Sequence, residues 1–576
     1  MSIITDALAS RFEKGIVNAF GAEHAGTAPV LRRSNHADFQ ADVALSLGRK
    51  LGRAPREVAQ ELVAAVDLKD VAEKVEIAGP GFVNITLSAS WLATALETTA
   101  GDPRLGVVSQ KPETVVIDYS SPNVAKEMHV GHIRSTLIGD SLARVLEHLG
   151  HRVIRQNHLG DWGTPFGMLI EHLLDTTGGE ADKLSIRDLD AFYREARGKF
   201  DSDPVFADRS RHRVVMLQGG DDKTLELWRQ LVDLSTSYFG KIYERLGVKL
   251  QPSDVCGESF YNPKLPGIVE ELRRQGLLEE SDGAECVFPP GFTTKEGKPL
   301  PLIVRKNDGG YGYAATDLAA IRHRTETLGA TRILYVVGSP QQQHLTMVFA
   351  VAEKAGWLPP PARATHVAFG SILGADKKMF KTREGGTVKL ADLLDEAVSR
   401  AHAIIEEKNP EQLDEAARKD VARVIGIGAL KYVDLSSDRV KDYVFDWKRM
   451  LAFDGNTAPY LQFAHARTRS ILRKADGAPG SDTRIVIGTP EERALALMLL
   501  ELGDTVSNVA ETLQPHRLCT YLFDLATVTT SFLERCPVLK ANDEATRASR
   551  LALCDLSSKV LAKGLDLLGI DAPEVM

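Results

Sequence analysis

The chain has 576 residues, 43% of them hydrophobic and 26% charged, and carries a net charge of −8. At roughly 100–200 residues per domain this describes a multidomain globular protein, and disorder, a collagen-like repeat and a disulfide-stapled miniprotein are excluded. Cys256, Cys286, Cys519, Cys536 and Cys554 are scattered with no CxxC pair, which excludes a zinc ribbon and favours a reducing compartment.

Asp6, Arg11, Glu13 and Lys14 interrupt the first twenty residues, so no secretory leader is expected there. No apolar run approaches the ~18 residues of a membrane span, and a cytoplasmic protein is the expectation. Residues 1–103 read as one small domain. Helices are predicted around Ile3–Ala19, Gln40–Leu51 and Val58–Val66, then a strand over Gly81–Leu87 punctuated by Gly79-Pro80-Gly81. Gly101-Asp102-Pro103 makes a linker.

From Thr114 the pattern changes. Short β-branched runs at Val115–Ile117, Val153–Ile154, Ile333–Val337 and His366–Phe369 alternate with helical periods at about 129–149, 317–328 and 341–356. Strands alternating with helices predict an α/β domain with a doubly wound, Rossmann-like parallel sheet over 104–391. Residues from about 170 to 250 are polar with a helical period and read as an insertion. Beyond Asp392 every long stretch reads as helix, which predicts an all-α C-terminal region over 392–576.

Two stretches are locally basic despite the negative total. Residues 439–474 carry a net +5, and residues 11–56 a net +4. On charge alone, solvated helix faces and polyanion-binding surfaces both remain open.

The segment Val115 to His132 carries the strongest chemistry. An apolar strand runs into a loop, and the loop opens a helix whose Ile133, Leu137, Leu142, Val145, Leu146 and Leu149 keep helical spacing. His129 and His132 then lie in or beside its first turn, where unpaired N–H groups and the positive dipole end attract phosphate. Imidazole donors there suit an ATP phosphate, while Gly131 lets a flat ring approach the backbone. The spacing alone leaves metal ligands or surface histidines as alternatives. A second segment, Gly374 to Gly386, concentrates Lys377, Lys378, Lys381 and Arg383 in seven residues. Such a loop suits the charge of a triphosphate, although alone it is also compatible with simple solvation.

Together, His129-Val130-Gly131-His132 and Lys378-Met379-Phe380-Lys381-Thr382, about 250 residues apart, resemble the two signatures of class I aminoacyl-tRNA synthetases. Phe380 stands where that family has a small residue. The resemblance narrows to arginyl-tRNA synthetases. Ser121 to His129, Asn157-His158-Leu159-Gly160-Asp161-Trp162-Gly163 and Tyr313-Ala314-Ala315-Thr316-Asp317 resemble the catalytic domain of that family. Ala458 to Arg467 resembles the start of its anticodon-binding domain, placed from about residue 455, and residues 1–103 its additional N-terminal domain.

The resemblance implies ATP-dependent ligation of L-arginine to its tRNA through an arginyl-adenylate, with transfer to the terminal adenosine 2′-hydroxyl. ATP would arrive with Mg²⁺, and no structural metal, membrane or second subunit is expected. It assigns His129, Gly131, His132, Lys378 and Lys381 to ATP, with Lys126 sharing the lysine duty of a degenerate second signature. It assigns Asp118, Tyr313 and Asp317 to the arginine side chain, and Asn123, His129 and Gln341 to its α-amino and carboxylate end or the adjoining adenylate. A planar guanidinium with five N–H donors calls for carboxylates placed to accept them. For the tRNA, Arg467, Arg469 and Arg473 with Tyr460 and Phe463 combine cations with aromatic faces, as an unstacked anticodon loop requires, and Arg32, Arg33, Arg49 and Arg53 would face the outer corner. Rival readings are another class I synthetase and a non-catalytic tRNA-binding paralogue. The first would need an editing insertion or a thiolate zinc site, and the second the loss of signature residues.

Overall fold

Thr114–Asp118 forms a central strand of a four-stranded parallel sheet in the computed structural model of the chain. Arg152–Gln156 pairs on one side and Arg332–Tyr335 on the other, with Arg363–His366 beyond the latter. The structure describes residues 3–180, 189–380, 388–408, 414–475, 480 and 483–576. Four of the five residues in the central strand are buried, as a parallel strand covered on both faces requires.

The chain leaves Thr114–Asp118 toward one edge through the helix Val130–His148, and leaves Arg332–Tyr335 toward the other through the helix Gln342–Lys354. Adjacent strands whose connections diverge make a topological switch point, and a crevice opens beyond their carboxyl ends. One apolar core is built from Ile268, Leu272, Leu318, Ile321, Val348 and Val351 closing on Val116, Ile333 and Tyr335. The helix Val130–His148 is buried almost throughout and packs against the helices Leu390–Lys408 and Glu415–Leu435. Burial there extends to Arg134, whose guanidinium meets Asp434 at 3.2 Å.

Residues Lys111–Met450 and Leu568–Ile570 form the unit containing this sheet. The helices Leu390–Lys408 and Glu415–Leu435 therefore group with the sheet, although the sequence pattern joined them to the C-terminal helical region. Within the stretch read as an insertion lie the helices Pro165–Thr177, Leu189–Ser202, Pro204–Gln218 and Asp222–Leu246. Glu171 of the first is buried and accepts from Arg213 of the third at 2.7 Å.

The other unit gathers Met1–Gln110, Leu451–Leu567 and Asp571–Met576. Its antiparallel sheet has the order Leu31–Arg33, Phe39–Ala41, Phe82–Leu87, Ala72–Ala78. Arg493, from the helix Pro490–Leu500, donates to Asp38 and to the Leu87 carbonyl, both at 2.6 Å. Sequence-distant segments thus share one body.

Three boundaries depart from the sequence reading. Phe39–Ala41 is a strand and the helix begins at Val43, because all three strand residues are buried in pairing with Phe82–Leu87. The last sheet strand is Arg363–His366, earlier than its most apolar residues, since its ladder partner ends at Tyr335. The helix predicted from 317 starts at Tyr313 and ends in a π-turn, His323–Thr327, around the fully buried Arg324. Among the described residues no helix is long and apolar enough to cross a membrane.

Candidate active site

The loop between Asp118 and Val130 is bent tightly. Ser120, Ser121 and Ala125 have φ of 72°, 48° and 59°, a region that side chains other than glycine seldom enter. Fixed partners hold it there. The Ser120 N–H donates to Ser135 Oγ at 2.9 Å and the Ala125 N–H to Ser235 Oγ at 3.0 Å. Asn123 bridges to Gly160, where a Cβ would collide with the Asn123 side chain. Unfavourable backbone that is over-determined in this way gathers at functional sites.

His129 is the N-cap of the following helix. Its Nδ1 accepts from the Gly131 N–H at 3.0 Å, and the His129 N–H donates to His132 Nδ1 at 3.1 Å. With both Nδ1 atoms accepting, each neutral ring carries its proton on Nε2 and offers a donor. The rings lie 3.9 Å apart. A Cβ on Gly131 would meet the His129 ring at 2.8 Å, so the flat ring that this glycine admits is the chain's own. Burial, then the neighbouring His129, lower the His132 pKa to about 3. His132 is a neutral donor at physiological pH.

The chain beyond the second motif returns to the first. After the strand Ile372–Leu373, the Gly374 N–H donates to the Lys378 carbonyl at 2.8 Å, closing a turn that leaves Lys378 exposed. Phe380 stacks on Phe445 at 4.8 Å, which accounts locally for a large residue at that position. Lys381 lies outside the described residues. Beyond them, Val388 and Leu390 exchange backbone hydrogen bonds with Val130 and Met128, both 2.9 Å, and Lys389 pairs with the buried Glu127 at 2.9 Å. The segment that follows the second motif therefore lies beside the first.

At the switch point a cavity of about 420 Å³ is lined by Asp118, Asn123, Glu258, Tyr313, Asp317 and Gln341, among others. Lys126 is absent from this lining and lies instead, with Asn123, Glu258 and Tyr313, on a contiguous cavity of about 710 Å³. Two of the three carboxylates in the smaller cavity already have side-chain partners. Asp118 accepts from Arg324 at 2.6 Å, and Asp317 lies 2.6 Å from His344 Nε2, a contact that raises the His344 pKa. Glu258 faces no cation among the described residues, and burial, with Asp161 and Asp317 nearby, pushes its pKa to about 7. A cationic ligand would relieve that penalty. Glu258, Arg324 and His344 were missed from sequence, because each stands in a segment with no motif around it.

A family model for the catalytic domain of class I tRNA synthetases of the arginine type matches residues 97–447. Models for the DALR anticodon-binding domain and the arginyl-tRNA synthetase N-terminal domain match 461–576 and 2–87. An arginine–tRNA ligase of Thermobifida fusca is 55% identical over 571 residues, 99% of each chain. The chain belongs to the arginyl-tRNA synthetase family. The crystal structure of the Plasmodium falciparum arginyl-tRNA synthetase superposes with a TM-score of 0.87 at 28% identity, and the Thermus thermophilus one with 0.81 at 26%, each covering 100% of both chains. As an arginyl-tRNA synthetase this is a ligase that attaches arginine to tRNA with ATP.

Among the residues expected to meet tRNA, Phe463 is exposed and Tyr460 lies 5.7 Å from Phe523. Arg469 and Arg473 share one face of the helix Ala458–Lys474 and both reach Glu574, at 2.7 and 3.5 Å. Arg467 turns toward Glu534 at 3.8 Å. In the N-terminal sheet, Arg32 and Arg33 line a cavity of about 400 Å³ with Asn35, Phe82 and Asn84, while Arg53 pairs with Glu61.

Proposed function

We propose that the synthetase activates arginine in the crevice at the sheet switch point and then passes it to the tRNA 2′-hydroxyl. The observation that carries this reading is the acidic cavity, where Glu258, with no cation partner among the described residues, shares the lining with Asp118 and Asp317. An arginine guanidinium there would face carboxylates, with Tyr313 at the rim, leaving its α-carboxylate toward Asn123, Gln341 and the paired histidines. An arginine carboxylate oxygen attacks the ATP α-phosphorus, and the bond to the β-phosphate oxygen breaks. His129 and His132 donate from Nε2 to phosphate oxygens as charge builds, and Lys126, Lys378 and Lys381 balance the leaving pyrophosphate with the Mg²⁺ that accompanies ATP. The 2′-hydroxyl oxygen of the terminal adenosine then attacks the arginyl carbonyl, AMP leaves, and the hydroxyl proton is released.

The protein's contribution is position and fixed charge. Three domains serve the tRNA in this reading: 1–103 meets the outer corner, 104–391 the acceptor end, and the part beyond about 455 the anticodon through Arg467, Arg469, Arg473, Tyr460 and Phe463. The cavity beside Arg32 and Arg33 supports the first of these, since it combines cations with the Phe82 ring and amide side chains. The enzyme works as a cytoplasmic monomer. Exchange of labelled pyrophosphate into ATP, measured with each of the twenty amino acids and with or without tRNA, tests the reading. Arginine alone should support exchange, and only with tRNA present. Exchange driven by another amino acid would overturn the specificity, and exchange without tRNA the coupling.

A further inference from the structure

Lys126 follows Ala125, whose strained backbone is pinned to Ser235, and it emerges half-buried on the cavity of about 710 Å³. Its Nζ stands 4.3 Å from the centre of the Tyr193 ring. No carboxylate of the described residues is paired with it. That matters for a lysine meant to meet phosphate, because a carboxylate partner would neutralise the charge the reaction needs. An aromatic face attracts an ammonium through its quadrupole while leaving the charge whole.

Tyr193 is held where it is by its own helix, Leu189–Ser202. The adjacent Phe192 is buried with its ring 4.8 Å from His172 of the helix Pro165–Thr177, and Ala196 is fully buried one turn on. These anchors set the rotation of the helix, so that Tyr193 is left on the wall of the same cavity as Lys126. The Lys126 charge reaches the first motif, where it adds to burial and His129 in keeping His132 neutral.

We infer that Tyr193 is a positioning residue for adenylate formation: its ring fixes the Lys126 ammonium beside the first motif without neutralising it. The inference rests on the reading that Lys126 assists ATP, and it extends that reading to a residue from the insertion, outside both signature motifs. The aromatic face is the active feature, and the hydroxyl is dispensable.

The test is arginine-dependent pyrophosphate exchange, with cognate tRNA present, in Tyr193→Phe, Tyr193→Leu, Lys126→Ala and the Tyr193→Leu/Lys126→Ala double variant. Phe should match the wild type, whereas Leu should slow exchange about two- to tenfold, the range of one partly desolvated cation–π contact, with the arginine KM unchanged. The double variant should be no slower than Lys126→Ala. In parallel, phenylalanines with one, two and three ring fluorines placed at 193 drain the ring face without changing its shape, and the rate should fall stepwise with fluorine number. This series also covers the case in which the Leu variant does not fold. If Lys126→Ala is slow but the fluorine series is flat, the Tyr193 inference is overturned and the Lys126 reading stands. If Lys126→Ala runs at the wild-type rate, the Lys126 reading falls and takes this inference with it. Equal slowing by Leu with and without Lys126 would show that Tyr193 acts by another route and would also overturn it.

Discussion

Asp118, in the lining of the cavity proposed for a guanidinium, is already held by one: the fully buried Arg324 donates to its Oδ2 at 2.6 Å and to Gln156 at 2.6 Å. Ser121 donates to the other oxygen at 3.1 Å. The pair fixes the carboxylate and offsets part of the acidity of the site. Breaking a buried ion pair from one side strands a charge, which costs about 3–5 kcal/mol. Arg324→Met should lose about that much in urea unfolding, and Asp118→Asn added to it should recover a sizeable part. Equal destabilisation in the single and double variants would show that the pair is not coupled.

Asp317 tests amino-acid choice. Asp317→Asn keeps the shape of the side chain but removes its charge, both toward His344 and toward an incoming guanidinium. Loss of one charged hydrogen bond is worth about 1.5–3 kcal/mol, so discrimination against citrulline, a neutral isostere of arginine, should fall on the order of tenfold to a hundredfold. Unchanged selectivity in competition assays would remove Asp317 from arginine recognition.

Glu258 predicts a pH dependence. Its pKa in the folded apo-protein is about 7, so it is neutral below that value and ionised above it. The arginine KM should therefore fall as pH rises through about 7, and in Glu258→Gln it should be higher and flatter. Stability runs the other way. A carboxyl raised above its unfolded value stabilises the fold at low pH, and that contribution is lost as pH rises from the unfolded value toward and past 7. Glu258→Gln should then melt higher than wild type at pH 8 and equal it near pH 4. The same Tm difference at both pH values would contradict the shift.

His132 makes the opposite case. Its pKa of about 3 keeps it neutral over the working range, so it should add no titration near pH 6.5 to the adenylation rate. His132→Ala should slow adenylate formation on the order of a hundredfold, with arginine binding nearly intact. For stability, a depressed histidine pKa means that the unfolded chain takes up the proton first. Its contribution is present above the unfolded value and declines as pH falls from about 6.5 toward 3. Rapid-quench measurement of adenylate, with calorimetry across pH, checks both statements.

Glu574 sets a limit on the proposed anticodon surface. It engages Arg469 and Arg473 together, so it would compete with a tRNA phosphate for the same guanidinium groups. Charge reversal of Arg467 and Arg473 should raise the tRNA KM and flatten its salt dependence, because fewer counterions are displaced. Glu574→Gln should lower the KM and steepen the slope. A salt slope unchanged in all these variants would place the tRNA elsewhere.

The family, the parallel sheet and the first motif were legible in the sequence because their signals are local. An apolar strand, a loop and a helix with a histidine at its first turn are written in consecutive residues from Val115 to Leu149. The same locality explains the errors at Phe39–Ala41 and at the start of the helix Tyr313–Arg322, where partners from elsewhere in the chain decide the conformation. Asp118, Asn123, Tyr313, Asp317 and Gln341 come from three segments, and that they line one cavity followed from the family likeness, not from any spacing. The charge state of the cavity was beyond reach of the sequence. Whether Asp118, Asp317 and Glu258 are paired or unpaired depends on Arg324 and His344, and on how much water burial removes from Glu258. The neighbours of Lys126 depend likewise on how Phe192 seats its helix against His172. Periodicity records which face of an element is apolar. Which side chain of another element meets a given charge is set by packing, and so by the tertiary structure alone.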